Sequence, residues 1–554
     1  MIAVQISLKM CYDNSMLREK LKEAILKEVK DAFKVNLSLE EIEIEKPREK
    51  ENGDYSSPVS FSLAKKLKKD PSKIAKEISR NLKREEWRVE EKGGFINFFF
   101  SDKVLFDKAK EGVKFNKKNK LAVVDYSSPN IAKSFGIGHL RSTIIGQAMV
   151  NIYRALGWKV VGLNYLGDWG TQYGKLIFQI KKEGVKEEDL TIEEMERLYV
   201  KFHKEAKENP DLEEKGREWF RKLEEGDKEA MRIWEICSKK SLKEFEETYR
   251  ILGVEIDKID PESFYKEKAK EIIKEAKDKK IARESKGALI IDLPNLPPAM
   301  LLKSGGGTTY FARDLAAVKY RVEKWTPDLF IYEVGSDQKL HLRQLFEAVS
   351  LFGWAPKESF FHMAHGLFRK KGGKMSTRKG ETIHLKEVLN KVMEGAKEMT
   401  DDKEVARQVG IGAIKYQDLK RDYRRDIIFD WEEMLSLKGN SGPYLQYSAV
   451  RARSVLDKSK KKPSYKGELN KEERDILSQT ALFNEVIEEA GKSFSPSLIC
   501  QSAYNLACSF NTFYSKHQII GVKEEEKRLA IAESVFKTLE KALSLLSIEI
   551  PLKM

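Results

Sequence analysis

Two short segments carry the residue types that nucleotide chemistry asks for: Gly136-Ile137-Gly138-His139 early in the chain and Lys374-Met375-Ser376-Thr377 far beyond it. The first follows a β-like run and opens an amphipathic pattern, so it aims free backbone N–H groups and an imidazole at whatever anion sits there. The second offers a lysine on a glycine-rich loop. A triphosphate attacked at its α-phosphorus needs positive charge over the departing pyrophosphate, supplied by groups that tighten as that charge develops. His139, the helix N-terminus and Lys374 can supply it, with Lys133, Arg378 and Lys379 as further cations. Neither segment is diagnostic alone, and a fold that brings both onto one triphosphate explains each.

A third run, Gly305-Gly306-Gly307-Thr308-Thr309-Tyr310-Phe311-Ala312-Arg313-Asp314, sets an aromatic ring and a carboxylate four apart at a helix start, hence on one face. Such a pair can enclose a cation. A guanidinium is planar, always charged and presents a fork of donors, which suits a carboxylate with an aromatic plane beside it. The plainer reading of Asp314 is a helix cap.

The elements that must position these residues are legible from hydrophobic period. Leu121 to Tyr126 reads as a short apolar strand, Gly138 to Leu156 as a helix and Lys159 to Leu166 as a strand, the βαβ order of a doubly wound parallel sheet of Rossmann type. Strand-like runs return at Ala288 to Leu293, Leu329 to Val334 and Phe360 to His365. Residues 1–115 read as a small α+β domain, with a helix from Met16 to Phe33 and a β-like run to Phe100. Residues 116–400 form the parallel-sheet domain, with a charged helical insertion near 175–280, and 401–554 are all helical. The multidomain α/β class follows.

Lys and Arg outnumber Asp and Glu, giving a formal net charge of +14 that suits a polyanionic partner such as nucleic acid. No apolar stretch approaches the ~20 residues of a membrane span, and the amino terminus lacks the pattern of a secretory signal, so a cytoplasmic protein with no membrane partner is expected. The four cysteines fit neither a disulfide framework nor a zinc pair. His362 and His365 lie on a strand-like aromatic run and read as core histidines, so no structural metal is expected.

Together the segments SSPNIAKSFGIGHLRSTIIG, NYLGDWGTQYG, YFARDLAA, GKMSTRKG and GNSGPYLQYSAVRAR, in this order, resemble arginyl-tRNA synthetase over nearly the whole chain. The resemblance implies a class I synthetase that joins L-arginine to ATP, with Mg²⁺, and passes the arginyl group to tRNA(Arg), working as a cytoplasmic monomer. Carried over by position, Asp125 and Asn130 would meet the α-ammonium of arginine, Tyr310, Asp314 and Glu262 its guanidinium, and Gln338 would close the pocket. Pro129, Gly138, His139 and Lys374 would face ATP, and Lys374, Met375 and Ser376 would form a loop over its phosphates. Gly136 stands where the family's HxGH element has its first histidine, and Thr377 where its KMSK loop ends in lysine. Lys133 holds the place of the upstream lysine that accompanies such variant loops. Asn97 and Phe99 in the first domain, and Tyr444, Tyr447, Phe510, Tyr514 and Met554 in the last, would contact tRNA. Two other readings stay open: a non-catalytic tRNA-binding paralogue, suggested by Gly136, and a synthetase for another amino acid.

Overall fold

The computed structural model of the protein describes residues 16–47, 49–370, 373–374, 383–398, 400–428, 432 and 439–554. At its centre five strands run parallel: Leu121–Asp125, Lys159–Leu166, Lys258–Pro261, Leu329–Gly335 and Phe360–His365. The first strand lies in the middle, with the second and third on one side and the fourth and fifth on the other. Such an order reverses its winding between the first and fourth strands, which opens a crevice at their carboxyl ends. Asp125 and Tyr332 are register partners across that switch point. The runs Ala122 to Val124 and Leu329 to Ile331 are buried throughout, as strands covered on both faces must be.

The crossover helix Ile137–Ala155 buries Leu140, Ile144, Ile145, Ala148, Met149 and Ile152 against the sheet. After it Gly157 turns the chain at a φ of 83°, where a Cβ would sit 2.1 Å from the Asn116 carbonyl oxygen, so only glycine fits. Helices Thr171–Glu183, Ile192–Glu208, Asp211–Glu225 and Lys228–Ile251 then form the insertion. It ends sooner than the charge pattern suggests, because Lys258–Pro261 joins the sheet. Four residues, two of them charged, are too few to show a strand period.

Ala288–Leu293 differs from the expected return to the main sheet. It is the middle strand of a separate antiparallel sheet with Ala282–Ser285 and Leu296–Leu302. In the first domain Phe95–Phe100 pairs with both Tyr55–Ser57 and Trp87–Lys92, and helices Leu17–Phe33, Val59–Leu67 and Pro71–Asn81 accompany this sheet. The last domain is built from helices, among them Lys403–Leu419, Gly442–Lys458, Ser497–Lys516 and Glu525–Leu545. Arg474 fastens the two ends of the chain together, pairing with Asp54 at 2.7 Å and Asp102 at 2.9 Å.

Candidate active site

A cavity of about 310 Å³ opens at the switch point. Its wall takes Asp125 from the end of the first strand, Ser128 and Asn130 from beyond it, Tyr165 from the second and Glu262 from beyond the third. Tyr310 and Asp314 come from helix Tyr310–Trp325, and Gln338 and His341 from the turn and helix after the fourth strand. This volume is at the small end of ligand sites and suits an amino acid rather than a nucleotide. The chain that forms it is strained: Ser127, Ser128 and Ala132 hold φ of 71°, 43° and 60°, a left-handed backbone that non-glycine residues keep only where the surroundings impose it. A Cβ on Gly167 would lie 2.2 Å from Asn130 Oδ1, so glycine lets the two loops close.

Charge in the recess is mostly committed. Asp125 is buried and pairs with Arg321 at 2.8 Å, while Asp260 lies 3.8 Å from the same guanidinium. Glu262 pairs with Arg313 at 2.6 Å, and burial still pushes its carboxyl up to about 7. Asp314 shares a 2.6 Å hydrogen bond with His341. It caps nothing, because Thr309 is the cap of its helix, accepting from the Ala312 N–H at 3.3 Å. Tyr310 is exposed at the rim, its ring tilted over His341 at 4.9 Å. An entering cation therefore meets the carboxyl groups of Glu262 and Asp314, with that of Asp125 held by Arg321, and three tyrosine rings, Tyr165, Tyr310 and Tyr332.

His139 lies one turn into the crossover helix, half-buried beside Phe135, whose ring is 5.2 Å away. The Gly136 N–H donates to its Nδ1 at 3.1 Å. Burial, with Lys133 adding to it, pushes the imidazole down to about 4. A neutral ring that accepts at Nδ1 carries its hydrogen on Nε2 and donates from there. Gly138 is exposed in the same turn, where an added Cβ would meet nothing. Pro129 is buried, its carbonyl accepting from Gly167 at 3.0 Å, and Lys133 lies over the Tyr199 ring at 5.0 Å.

Described residues on both sides of the second motif meet this same helix. Before it, Arg141 donates to the Gly366 carbonyl at 2.8 Å, and well after it to those of Arg425 at 2.9 Å and Tyr423 at 3.0 Å. Asp418, buried like Arg141, lies 3.3 Å from its Nε. Closer behind the motif, Ile137 N–H donates to Ile383 at 3.0 Å. Lys374 pairs as backbone with Arg369 in a short antiparallel strand. Met375 and Ser376 lie outside the described residues.

The expected tRNA contacts separate by exposure. Asn97 is buried, and Ser56 Oγ donates to its Oδ1 at 2.7 Å. Phe510 is likewise core, fully buried, because helical spacing fixes that two rings share a face but not which face is outward. Phe99 is half-buried under the Arg88 guanidinium, 4.1 Å from its ring. Tyr444 is half-buried and packs near Tyr504. Tyr447 and Tyr514 are exposed and line a cavity with Met554 and Arg451. Sequence reasoning missed Tyr165, His341, Arg321 and Arg451; of these only His341 left a signal, one helical turn beyond Gln338.

Cys237 and Cys500 are buried free thiols. His365 is buried against Glu333 at 2.8 Å, and His362, only half-buried, donates to the Val334 carbonyl at 3.0 Å. No helix among the described residues is long and apolar enough to cross a membrane, and no acidic, histidine or cysteine group there could hold a metal.

Three family profiles match the chain in series: the arginyl tRNA synthetase N-terminal domain over residues 19–100, the catalytic domain of tRNA synthetases class I (R) over 101–431, and the DALR anticodon binding domain over 445–554. An arginine–tRNA ligase of Halothermothrix orenii is 40% identical, covering 97% of this chain and 99% of that protein. Arginine–tRNA ligase 2 of Bacillus anthracis is 41% identical over 92% of this chain and 95% of its own length. The solved arginyl-tRNA synthetase of Thermus thermophilus superposes with a TM-score of 0.84 at 25% identity, covering 97% of this chain and all of that one.

Proposed function

The chain belongs to the arginyl-tRNA synthetase family, and from that premise we propose how its residues divide the work. It is an arginine–tRNA ligase. A carboxylate oxygen of arginine attacks the α-phosphorus of ATP, the bond to the β-phosphate oxygen breaks, and arginyl-adenylate and pyrophosphate result. A ribose hydroxyl of the terminal adenosine of tRNA then attacks the carbonyl carbon, and AMP leaves.

Asp314 and Glu262 grip the guanidinium, with Tyr165 and Tyr310 beside it, while Asn130 and Asp125 orient the α-ammonium end and Gln338 closes the mouth. His139, Gly138 and the helix N-terminus face ATP, and Lys133 and the Lys374-Met375-Ser376 loop complete the cationic lining. Arg141, on the same helix, takes no part in that lining, because its guanidinium is buried and donates to backbone carbonyls. Catalysis on this reading is positioning and charge stabilisation, without a covalent intermediate on the protein. Mg²⁺ enters with ATP. A monomeric working unit located in the cytoplasm completes the proposal. In the last domain, Tyr447, Tyr514 and Met554 offer a stacking surface for anticodon bases, with Tyr444 behind them, and Phe99 a contact for tRNA in the first.

The observation that carries this reading is the recess at the switch point, with Asp314 and Glu262 in its wall. A site built around a buried carboxylate rejects a ligand, or loses one, steeply when a charged hydrogen bond is removed. Asp314→Asn should lower kcat/KM for arginine about a thousandfold while the KM for ATP stays within about twofold. Unchanged arginine use by that variant would remove Asp314 from the site.

A further inference from the structure

Glycine at position 136 leaves the cap of the crossover helix without a side chain, yet the fold returns a histidine to that spot from another part of the chain. Gly136 and His384 are antiparallel cross-strand partners. The flanking hydrogen bonds run from Ile137 N–H to the Ile383 carbonyl at 3.0 Å and from Leu385 N–H to the Phe135 carbonyl at 2.8 Å. The pair thus lies in the non-hydrogen-bonded register, where opposed Cα atoms are ~4.5 Å apart and both side chains leave by the same face. His384 therefore projects to the same face as a side chain on residue 136 would, from a Cα ~4.5 Å away.

The other flank of Gly136 is His139, whose Nδ1 accepts the Gly136 N–H at 3.1 Å. One glycine is thus bracketed by two imidazoles. The His384 side chain is 45% exposed, and its Nδ1 is 3.9 Å from Glu196 Oε2. Glu196 also accepts from the Ser134 N–H at 3.3 Å and from the Ser134 hydroxyl, so one carboxylate fixes the first-motif loop and faces His384. Nε2 of His384 has no hydrogen-bond partner among the described residues. His384 is the N-cap of helix Leu385–Ala396 but makes no side-chain cap hydrogen bond. Serine, threonine, aspartate and asparagine are the residues that serve a cap, so capping does not account for an imidazole here.

We propose that His384 is the second phosphate-facing imidazole of the nucleotide site, acting beside His139 in place of the side chain that Gly136 lacks. The assignment rests on the ligase reading. It also gives Ile383 to Leu385, which pair with the start of the crossover helix, a part in the chemistry.

Single-turnover formation of arginyl-adenylate, with tRNA present, tests it. A contact made to the developing pyrophosphate is lost from the rate, so His384→Ala should slow the step about ten- to a hundredfold, with the KM for arginine within about twofold of the parent. Adding Gly136→His to His384→Ala should restore most of the rate, because it returns an imidazole to the same face. A His384→Ala rate within about twofold of the parent overturns the proposal. So does a slowed variant that Gly136→His fails to rescue and that melts at lower temperature, the signature of a hinge residue. The parent, run alongside, keeps the two readings apart: a parent that makes no arginyl-tRNA refutes the ligase reading, and an active parent with an unimpaired His384→Ala refutes this inference alone.

Discussion

Arg321 and Arg451 each lie over two tyrosine rings, one in the recess of the parallel sheet and the other on the helices of the last domain. Arg321 sits 5.2 Å from Tyr165 and 6.0 Å from Tyr332; Arg451 sits 4.5 Å from Tyr447 and 4.9 Å from Tyr514. The surroundings divide them. Arg321 is buried and spends its charge on Asp125 and Asp260. Arg451 is half-exposed, donates to Tyr447 Oη at 2.6 Å and Asn511 Oδ1 at 2.7 Å, and has no carboxylate partner among the described residues. A buried cation must be neutralised by its own protein, so the first arrangement is scaffold for a pocket. An exposed cation between two open rings keeps its charge and its stacking faces for a polyanion.

Arg321→Met separates the two arrangements most strongly. It leaves Asp125 and Asp260 buried without their cation, and removal of one partner from a buried pair costs about 3–5 kcal/mol. Chemical denaturation should show a loss of that size; a loss below about 1 kcal/mol would mean that the pair is not holding the recess. Tyr514→Ala should leave stability nearly unchanged and weaken tRNA binding by about 1–3 kcal/mol, the worth of one stacked base. Phe510→Ala, one turn away but buried, should do the reverse, and filter binding beside thermal melting of both variants would show it. The smallest effect belongs to pH. Burial holds the Glu262 carboxyl near 7, a protonated carboxyl cannot pair with a guanidinium, and so the KM for arginine should be flat above pH 7 and rise about tenfold per unit below it. A flat profile down to about pH 5.5 would take Glu262 out of contact with the ligand.

Much of the recess could be read from the chain. Tyr310 and Asp314 share a helix face, and the strands beginning at Leu121, Lys159, Leu329 and Phe360 announce themselves as apolar runs because both their faces are covered. What remained hidden were partnerships across distance. Arg321 reaches Asp125 196 positions away, and nothing in the helix that carries it distinguishes a buried guanidinium from a solvated one. His384 meets Gly136 only because two stretches pair in antiparallel register. Asn97 and Phe510 show the same limit from the other side: their types and spacing suit nucleic acid, but burial depends on neighbours that spacing does not specify.

The central claim is that the recess selects a forked cation by its carboxylates, and citrulline tests it without altering the protein. Citrulline keeps the length and planarity of arginine and loses the charge and one donor geometry. With ATP and tRNA present, arginine should be attached to tRNA with a kcat/KM at least about a thousandfold above that of citrulline. Comparable use of the two amino acids would show that the carboxylates of the recess do not choose the substrate.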